Sequence, residues 1–447
     1  MRRRVVVVAI FIALVVGGST RPIAQREPRP NVVLVMMDDL GYGDIGSYGG
    51  PDARTPNLDR LARDGVRLTN AYSNGAVCTP TRAALISGRY QQRVGLEWVL
   101  EGTPADEHLG LPVTSTSLPA LLKATGYATG LVGKWHLGFR KEFSPNAHGF
   151  DEFFGFLGGA HDYYRHQGAD GVSDLYENGE PLRTSPGYLT DEITRRAAGF
   201  IDRHAKEPFF IEVAYNAVHW PFQPPDLAPS DPRRDTPLRQ MPDNTPPATR
   251  ADYLQMLERA DSGIGTILSA LERHDIARNT LVIFTNDNGG EWLSRNAPLY
   301  HRKSTLWEGG IRVPLILRWP GVLPKGKTSP QVAITMDLNA TILAATGTRL
   351  PTGYQPDGIN ILPVLTGQTP IIERQLFWRI ERPLRNQRAV RSGRWKMLLD
   401  ASVYLLFDVD ADPGERRDLA AQHPEVIVRL KSLLGDWEKA TRKIPAR

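Results

Sequence analysis

The sequence predicts an α/β protein, with a large mainly parallel sheet sandwiched by helices. A small C-terminal α+β subdomain, a short antiparallel sheet plus a helix, is expected to follow. Three observations carry this reading. Apolar runs of strand length alternate with amphipathic stretches over residues 30–366, and helices between β-runs imply parallel strands covered on both faces. After about Gly367 the runs become short and are divided by tight polar turns, which is an antiparallel signature. The composition is globular, with 447 residues, 41% hydrophobic and 23% charged, so neither a disordered chain nor a collagen fits.

Residues 1–24 read as an export signal. Arg2, Arg3 and Arg4 make a positive start, Val5–Val16 is an apolar run, and Pro22-Ile23-Ala24 offers a cleavage site. The run is shorter than the roughly 20 apolar residues that a bilayer span needs. No stable membrane span is therefore expected, and the protein is expected to be periplasmic or secreted. This stretch also carries four of the five net positive charges, leaving +1 on the rest. A near-neutral chain gives no support for a nucleic-acid partner. Cys78 is the only cysteine, so no disulfide can form within the chain, and Cys78 calls for its own explanation.

Asn31–Met37 is a continuous apolar run, as a buried strand requires. Leu58–Arg63 reads as a short helix opened by Thr55-Pro56. Tyr127–Val132 is the next strand, and the amphipathic Asp191–His204 feeds the strand Phe209–Tyr215. The long helix Tyr253–Arg273 feeds the strand Leu281–Thr285, and Val313–Leu317 is a further strand. The Pro-rich stretch 221–247 is expected to be a surface loop. Past residue 367, Gln375–Ile380, Ala389–Arg391, Trp395–Leu399 and Tyr404–Phe407 are short strands, closed by the helix Pro424–Lys439.

The loop Gly41–Gly46 (GYGDIG) matches a dinucleotide-binding pattern. It is rejected, because a pyrophosphate needs the positive end of a helix, whereas Asp38, Asp39 and Asp44 flank this loop. Asp38-Asp39 at the end of a buried strand is more informative, since adjacent carboxylates repel unless a cation or basic group compensates. A second strand ends in Asn286-Asp287-Asn288. Each taken singly could be a loop-capping turn; together they form a hard oxygen set suited to Ca²⁺ or Mg²⁺. Pro80 and Gly88 bracket a helix that starts at Cys78, with Arg82 four residues on. A lone Cys is commonly a buried small hydrophobe, whereas a helix N-terminus beside an Arg favours an anion or thiolate.

The run Cys78-Thr79-Pro80-Thr81-Arg82, followed by AALISGR at 83–89, resembles the signature of the type I sulfatases, arylsulfatase-like members of the alkaline phosphatase superfamily. NVVLVMMDDLGYGDIGSY at 31–48, GKWHLG at 133–138, TNDNGG at 285–290 and KSTLWEGGIRVP at 303–314 resemble that family's other motifs in order. The segments 388–399 and 406–419 resemble its C-terminal subdomain, so the likeness spans residues 31–437. Thr79 and Thr81 are mild departures that spare the Cys, Pro and Arg.

The resemblance implies that a formylglycine-generating enzyme oxidises Cys78 to formylglycine. It also implies that Asp38, Asp39, Asp287, Asn288 and residue 78 hold one cation, Ca²⁺ with Mg²⁺ as the alternative. The aldehyde hydrate presents two hydroxyls on one carbon. One attacks sulfur and expels the alcohol; the other then loses a proton, the aldehyde reforms and sulfate leaves by C–O cleavage. Arg82 would steady the hydrate, and Lys134 and Lys303 would hold sulfate oxygens. His136, two residues from Lys134 and so on the same side of an extended chain, would be the base for elimination. His219 would assist the leaving oxygen as an acid, with Lys303 as its partner in that role. His161 and His166, in an aromatic-rich insert, are candidates to line the pocket, with a surface loop as the alternative. The expected substrate is a sulfate monoester, an aryl sulfate or a sulfated sugar. The rivals are a phosphonate or phosphate ester hydrolase of the same superfamily, and a catalytically silent binding protein with an unmodified Cys78.

Overall fold

The computed structural model describes residues 29–182, 187–236 and 248–441. The expected export signal and residues 237–247 of the Pro-rich stretch lie outside them. Asn31–Met37 runs through the middle of a ten-stranded sheet, parallel to Phe209–Ala214 on one side and to Thr280–Asn286 on the other. Ala128–Lys134 and Glu152–Phe156 continue the parallel order beyond Phe209–Ala214. Past Thr280–Asn286 the sheet ends in Leu315–Arg318, Val66–Leu68 and Lys327–Ser329. Leu315–Arg318 is antiparallel to both of its neighbours.

Both faces of the sheet are covered, which is why the central strand is apolar without alternation. Val33, Val35 and Met37 join a core with the helices Leu189–His204 and Arg250–Arg273. Val32, Leu34 and Met36 join a second core with the helices Cys78–Ser87, Leu118–Ala124 and Thr335–Ala345. The strands Gln375–Arg382, Arg385–Ser392, Trp395–Asp400 and Val403–Asp408 form an antiparallel sheet. The helix Pro424–Ala440 closes it through Leu430, Leu434 and Trp437. Among the described residues no helix is long and apolar enough to cross a membrane.

Some expectations need correction. Ala389–Arg391 is the later part of the eight-residue strand Arg385–Ser392; its polar Asn386, Gln387 and Arg388 hid the rest from a reading that sought apolar runs. The strand expected at Val313–Leu317 is Leu315–Arg318, and it is antiparallel. The Pro-rich stretch does not begin as a surface loop. Pro221–Pro224 is buried, and Gln223 accepts from the Tyr163 N–H at 2.8 Å and donates to Asp162 at 3.1 Å. The strand expected to stop at Val132 runs on to Lys134. Gly133 allows this, because a Cβ there would lie 1.9 Å from the Ala214 carbonyl oxygen.

Candidate active site

The parallel strands deliver their chemistry at one edge. Asp38-Asp39 follows Asn31–Met37, Asp287-Asn288 follows Thr280–Asn286, and Lys134 ends Ala128–Lys134. His219 comes from the loop after Phe209–Ala214, pinned to the centre by the Asp38 N–H donating to Ala217 and the Val218 N–H to Asp38. Carboxyl ends of parallel strands are where ligands bind in such sheets. The helix Cys78–Ser87 points its N-terminus at the same edge, with Gly88 as its left-handed C-cap.

Ligand atoms of Asp38, Cys78 and Asp287 lie within 4.8 Å of one another, as do those of Asp38, Asp39 and His219. Arg82 donates to Asp287 Oδ2 from Nη2 at 2.7 Å and from Nε at 3.1 Å, and to the Lys134 carbonyl at 3.2 Å. Lys134 Nζ pairs with Asp38 Oδ2, and Lys303 Nζ with Asp39 Oδ2 at 2.7 Å. Asn288 Nδ2 donates to Asp39 Oδ1 at 2.7 Å, which leaves its own carbonyl oxygen free.

Asp38 Oδ1, Asp287 Oδ1 and Asn288 Oδ1 are buried with no hydrogen-bond donor. Buried polar atoms are rarely left so, and three oxygens without donors fit a hard cation. Burial and then Asp38 push the Asp287 carboxyl up, with Arg82 opposing. Burial also pushes the Cys78 thiol up, although Lys134 and Lys303 pull the other way. A thiol held neutral is a poor nucleophile. Burial opposes the charge on Lys303, yet Asp39 and its other anionic neighbours hold that ammonium well above its usual range.

The two site histidines hold their protons on different atoms. His136 Nε2 faces the Leu100 carbonyl at 2.8 Å, and a carbonyl only accepts, so Nε2 carries the proton and the buried Nδ1 lone pair is unpartnered. His219 Nδ1 faces the Trp220 carbonyl and so carries the proton there, leaving Nε2 bare at 3.6 Å from Asp39 Oδ2. Burial drives both imidazoles well below their usual range, with Lys134 adding to the effect at His136 and Lys303 at His219. His136 does not reach the site by the extended-chain geometry expected. Its φ of 58° turns the chain just after the strand ends.

His161 and His166 are buried, so the surface-loop alternative fails. His161 stacks on Phe156 at 4.4 Å and lies 6.0 Å from the His166 ring. Neither lines the nearby cavity of about 260 Å³ between Leu157–Gly159 and Gly168–Asp174. Several residues escaped the sequence reading. Thr79 Oγ1 donates to the His136 carbonyl at 3.1 Å, Ser294 to the Asp39 carbonyl at 2.8 Å, and Tyr163 to the His219 carbonyl at 3.0 Å. Glu291 lies 3.6 Å from Lys303. One local signal exists in hindsight: Asp39, His136, Trp292, His301 and Ser304 all have left-handed backbones, and such residues gather at functional sites.

The family model for sulfatases matches residues 30–348. The chain belongs to the sulfatase family. It is an arylsulfatase-like hydrolase of sulfate esters. A second model, N-sulphoglucosamine sulphohydrolase C-terminal, matches residues 298–440, so the Lys303 segment lies in both. Human N-acetylgalactosamine-6-sulfatase is 36% identical over 94% of this chain and 87% of its own. Human arylsulfatase A is 32% identical over 95% of this chain and 90% of its own. A crystal structure of Ps i-CgsB in complex with k-i-k-neocarrahexaose superposes with a TM-score of 0.81 at 31% identity, covering 92% of each chain.

Proposed function

We propose that this sulfatase is an exported enzyme acting on a sulfated saccharide, through a formylglycine at position 78 and one divalent cation, Ca²⁺ by preference. The observation that carries the reading is the set of unpartnered oxygens of Asp38, Asp287 and Asn288 around residue 78. Asp38, Asp39, Asp287 and Asn288 would hold the cation, which supplies Lewis-acid activation of the nucleophilic oxygen. An all-oxygen protein set favours a hard ion over Zn²⁺. The saccharide class rests on the relatives, one named N-acetylgalactosamine-6-sulfatase and one solved in complex with k-i-k-neocarrahexaose.

The chain's own residues divide the remaining work. The helix N-terminus at residue 78 favours an anionic oxygen beside it. Arg82 fixes Asp287, and Lys134 and Lys303 are placed to receive sulfate oxygens. The bare Nδ1 of His136 suits it to accept the proton whose loss releases sulfate. Lys303 carries a proton at neutral pH, but the anionic neighbours that keep it charged also make it a reluctant donor to the leaving alcohol. His219 has no proton on Nε2 in its neutral form and must take one up to serve as the acid.

Two measurements test this. The Cys78 peptide from active native-host protein should carry an aldehyde that labels with a hydrazide; a fully active enzyme whose thiol alkylates stoichiometrically overturns the mechanism. Matched aryl sulfate, phosphate and phosphonate esters should rank with sulfate first. A tenfold preference for phosphorus, about 1.4 kcal/mol, would promote the phosphoester rival.

A further inference from the structure

We propose that Arg302, Arg385 and His301 form a second anion-binding subsite beside the sulfate pocket. It would take a sulfate ester or carboxylate on the sugar next to the one being desulfated. This deepens the sulfatase reading above and rests on it.

The argument starts from the C-terminal hairpin, where arginines recur along both strands. Arg379 pairs with Glu97, Arg382 with Glu101, Arg388 with Glu438, Arg391 with Asp410 and Arg394 with Asp408. Arg385 is the exception. Its Nη1 donates instead to the carbonyl of Ser304, the residue after Lys303, and among the described residues no carboxylate pairs with it. That hairpin end therefore leans on the Lys303 segment.

The same segment presents two more basic side chains outward. His301 and Arg302 are exposed, while Lys303 turns inward to Asp39. Among the described residues Arg302 makes no ion pair either. The segment sits over the reacting residue, with the Ser304 N–H donating to Ala76 at 2.7 Å and the Lys303 N–H to Gly290 at 3.2 Å. Partial burial, then Arg385 and Arg302, disfavour a proton on His301, while Asp400 opposes them. Arg385, seated on the Ser304 carbonyl, thus lies against the segment that carries His301 and Arg302. Basic side chains gathered with no ion-pair partner on either arginine among the described residues favour an anionic ligand. A guanidinium is the side chain suited to bind sulfate or carboxylate through two parallel hydrogen bonds.

Calorimetry in a Cys78→Ala background, which prevents turnover, would compare three probes in the presence of Ca²⁺. These are N-acetylgalactosamine 6-sulfate, its disaccharide with a hexuronate, and its disaccharide with a second sulfated sugar. The expectation is that one of the two disaccharides binds about tenfold more tightly than the monosaccharide, and which one identifies the anion. Arg302→Gln and Arg385→Gln should each cut that preference below about threefold, and Arg385→Lys, which keeps the charge but loses the two parallel hydrogen bonds, should restore only part of it. Equal affinity for all three probes, or equal weakening of all three in the variants, overturns the subsite. Arg302→Gln in active protein should hydrolyse 4-nitrophenyl sulfate within about twofold of the parent rate, because that substrate has no second anion. A parent protein with the affinity pattern but no aryl sulfate turnover would instead defeat the sulfatase mechanism and leave the subsite standing.

Discussion

Two buried charge clusters in this molecule use the same residue types to opposite ends. At the strand edge, Asp38, Asp39 and Asp287 face Arg82, Lys134 and Lys303. Beneath the C-terminal sheet, the buried Glu308 and Glu415 face Lys396 and Arg312, and the buried Arg391 reaches out to Asp410 at the surface. Each set balances acids against bases, so charge counting cannot tell them apart. Lone-pair accounting can. Glu308 Oε1 takes Lys396 at 2.9 Å, and Oε2 takes the Tyr72 hydroxyl at 2.7 Å and Arg312 at 3.1 Å. Glu415 Oε2 accepts the Glu308 N–H at 2.6 Å, and Oε1, which has no aligned donor, still lies 2.9 Å from the Lys396 ammonium. The strand-edge set leaves three oxygens with no donor. The cluster beneath the C-terminal sheet is closed by protein charges; the strand-edge set fits a partner from outside.

The largest effect that could break this distinction is on turnover. Asp287→Asn keeps the shape but removes a charge from the cation and the anchor from Arg82. Loss of one well-placed electrostatic group typically costs about 10²–10³-fold, and here two are touched, so kcat/KM on an aryl sulfate should fall by at least about 10³-fold. Steady-state kinetics with added Ca²⁺ checks this. A loss under tenfold would mean that the unpartnered oxygens are not where the cation acts.

The counterpart in the structural cluster is Lys396→Met, which strands two buried glutamates against each other. Removing one partner of a buried pair costs about 3–5 kcal/mol. Denaturant unfolding should show that loss, while the folded fraction keeps its kcat. A specific loss of kcat without loss of stability would erase the contrast between the clusters.

The reach of the sequence followed the same line. Asp38, Asp39, Asp287 and Asn288 were legible because carboxylates and amides at the ends of apolar strands are a local pattern. Cys78, Arg82, Lys134 and Lys303 became candidates for chemistry through motif resemblance, since a lysine alone reads as solvated surface. The structural cluster was not legible at all. Glu308 and Lys396 are 88 positions apart, and no local pattern reports that they meet in a buried layer. The His136 turn was misjudged for a related reason: its left-handed backbone goes with a ring bond to the distant Leu100 carbonyl, which no neighbour in sequence reports.

Cation binding sharpens the comparison further. At a hundredfold excess over Kd, a ligand of the native state stabilises by about 2.7 kcal/mol, which for a chain of this size is a rise of a few degrees in Tm. Ca²⁺ added to chelated protein should raise Tm in the parent and in Lys396→Met by the same amount, and should not raise it in Asp287→Asn. A shift that survives in Asp287→Asn would place the cation elsewhere.

The smallest effect concerns protons, which can do for the structural cluster what the cation does for the site. Burial, together with the negative charge of Glu308, pushes the Glu415 carboxyl up to about 7, although Lys396 opposes this. Burial acts on Glu308 too, but Lys396, Arg312 and Arg391 outweigh it and hold that carboxyl down at about 2. The sign for Glu415 follows from linkage. Its folded value lies above the unfolded one of about 4.3, so the native state binds more protons and stability falls as pH rises through that interval. Glu308 has the reverse sign, but its window lies below the unfolded value and is closed by pH 5. Between about pH 5 and 7 the Glu415 contribution therefore acts alone within this pair. Glu415→Gln cannot take up the proton, so its stability relative to the parent should improve steadily across that range. Urea unfolding of both proteins at half-unit pH steps measures the difference; a flat difference, or one that runs the other way, would mean that Lys396 keeps both glutamates ionised and that the cluster is closed to protons as well as to metal.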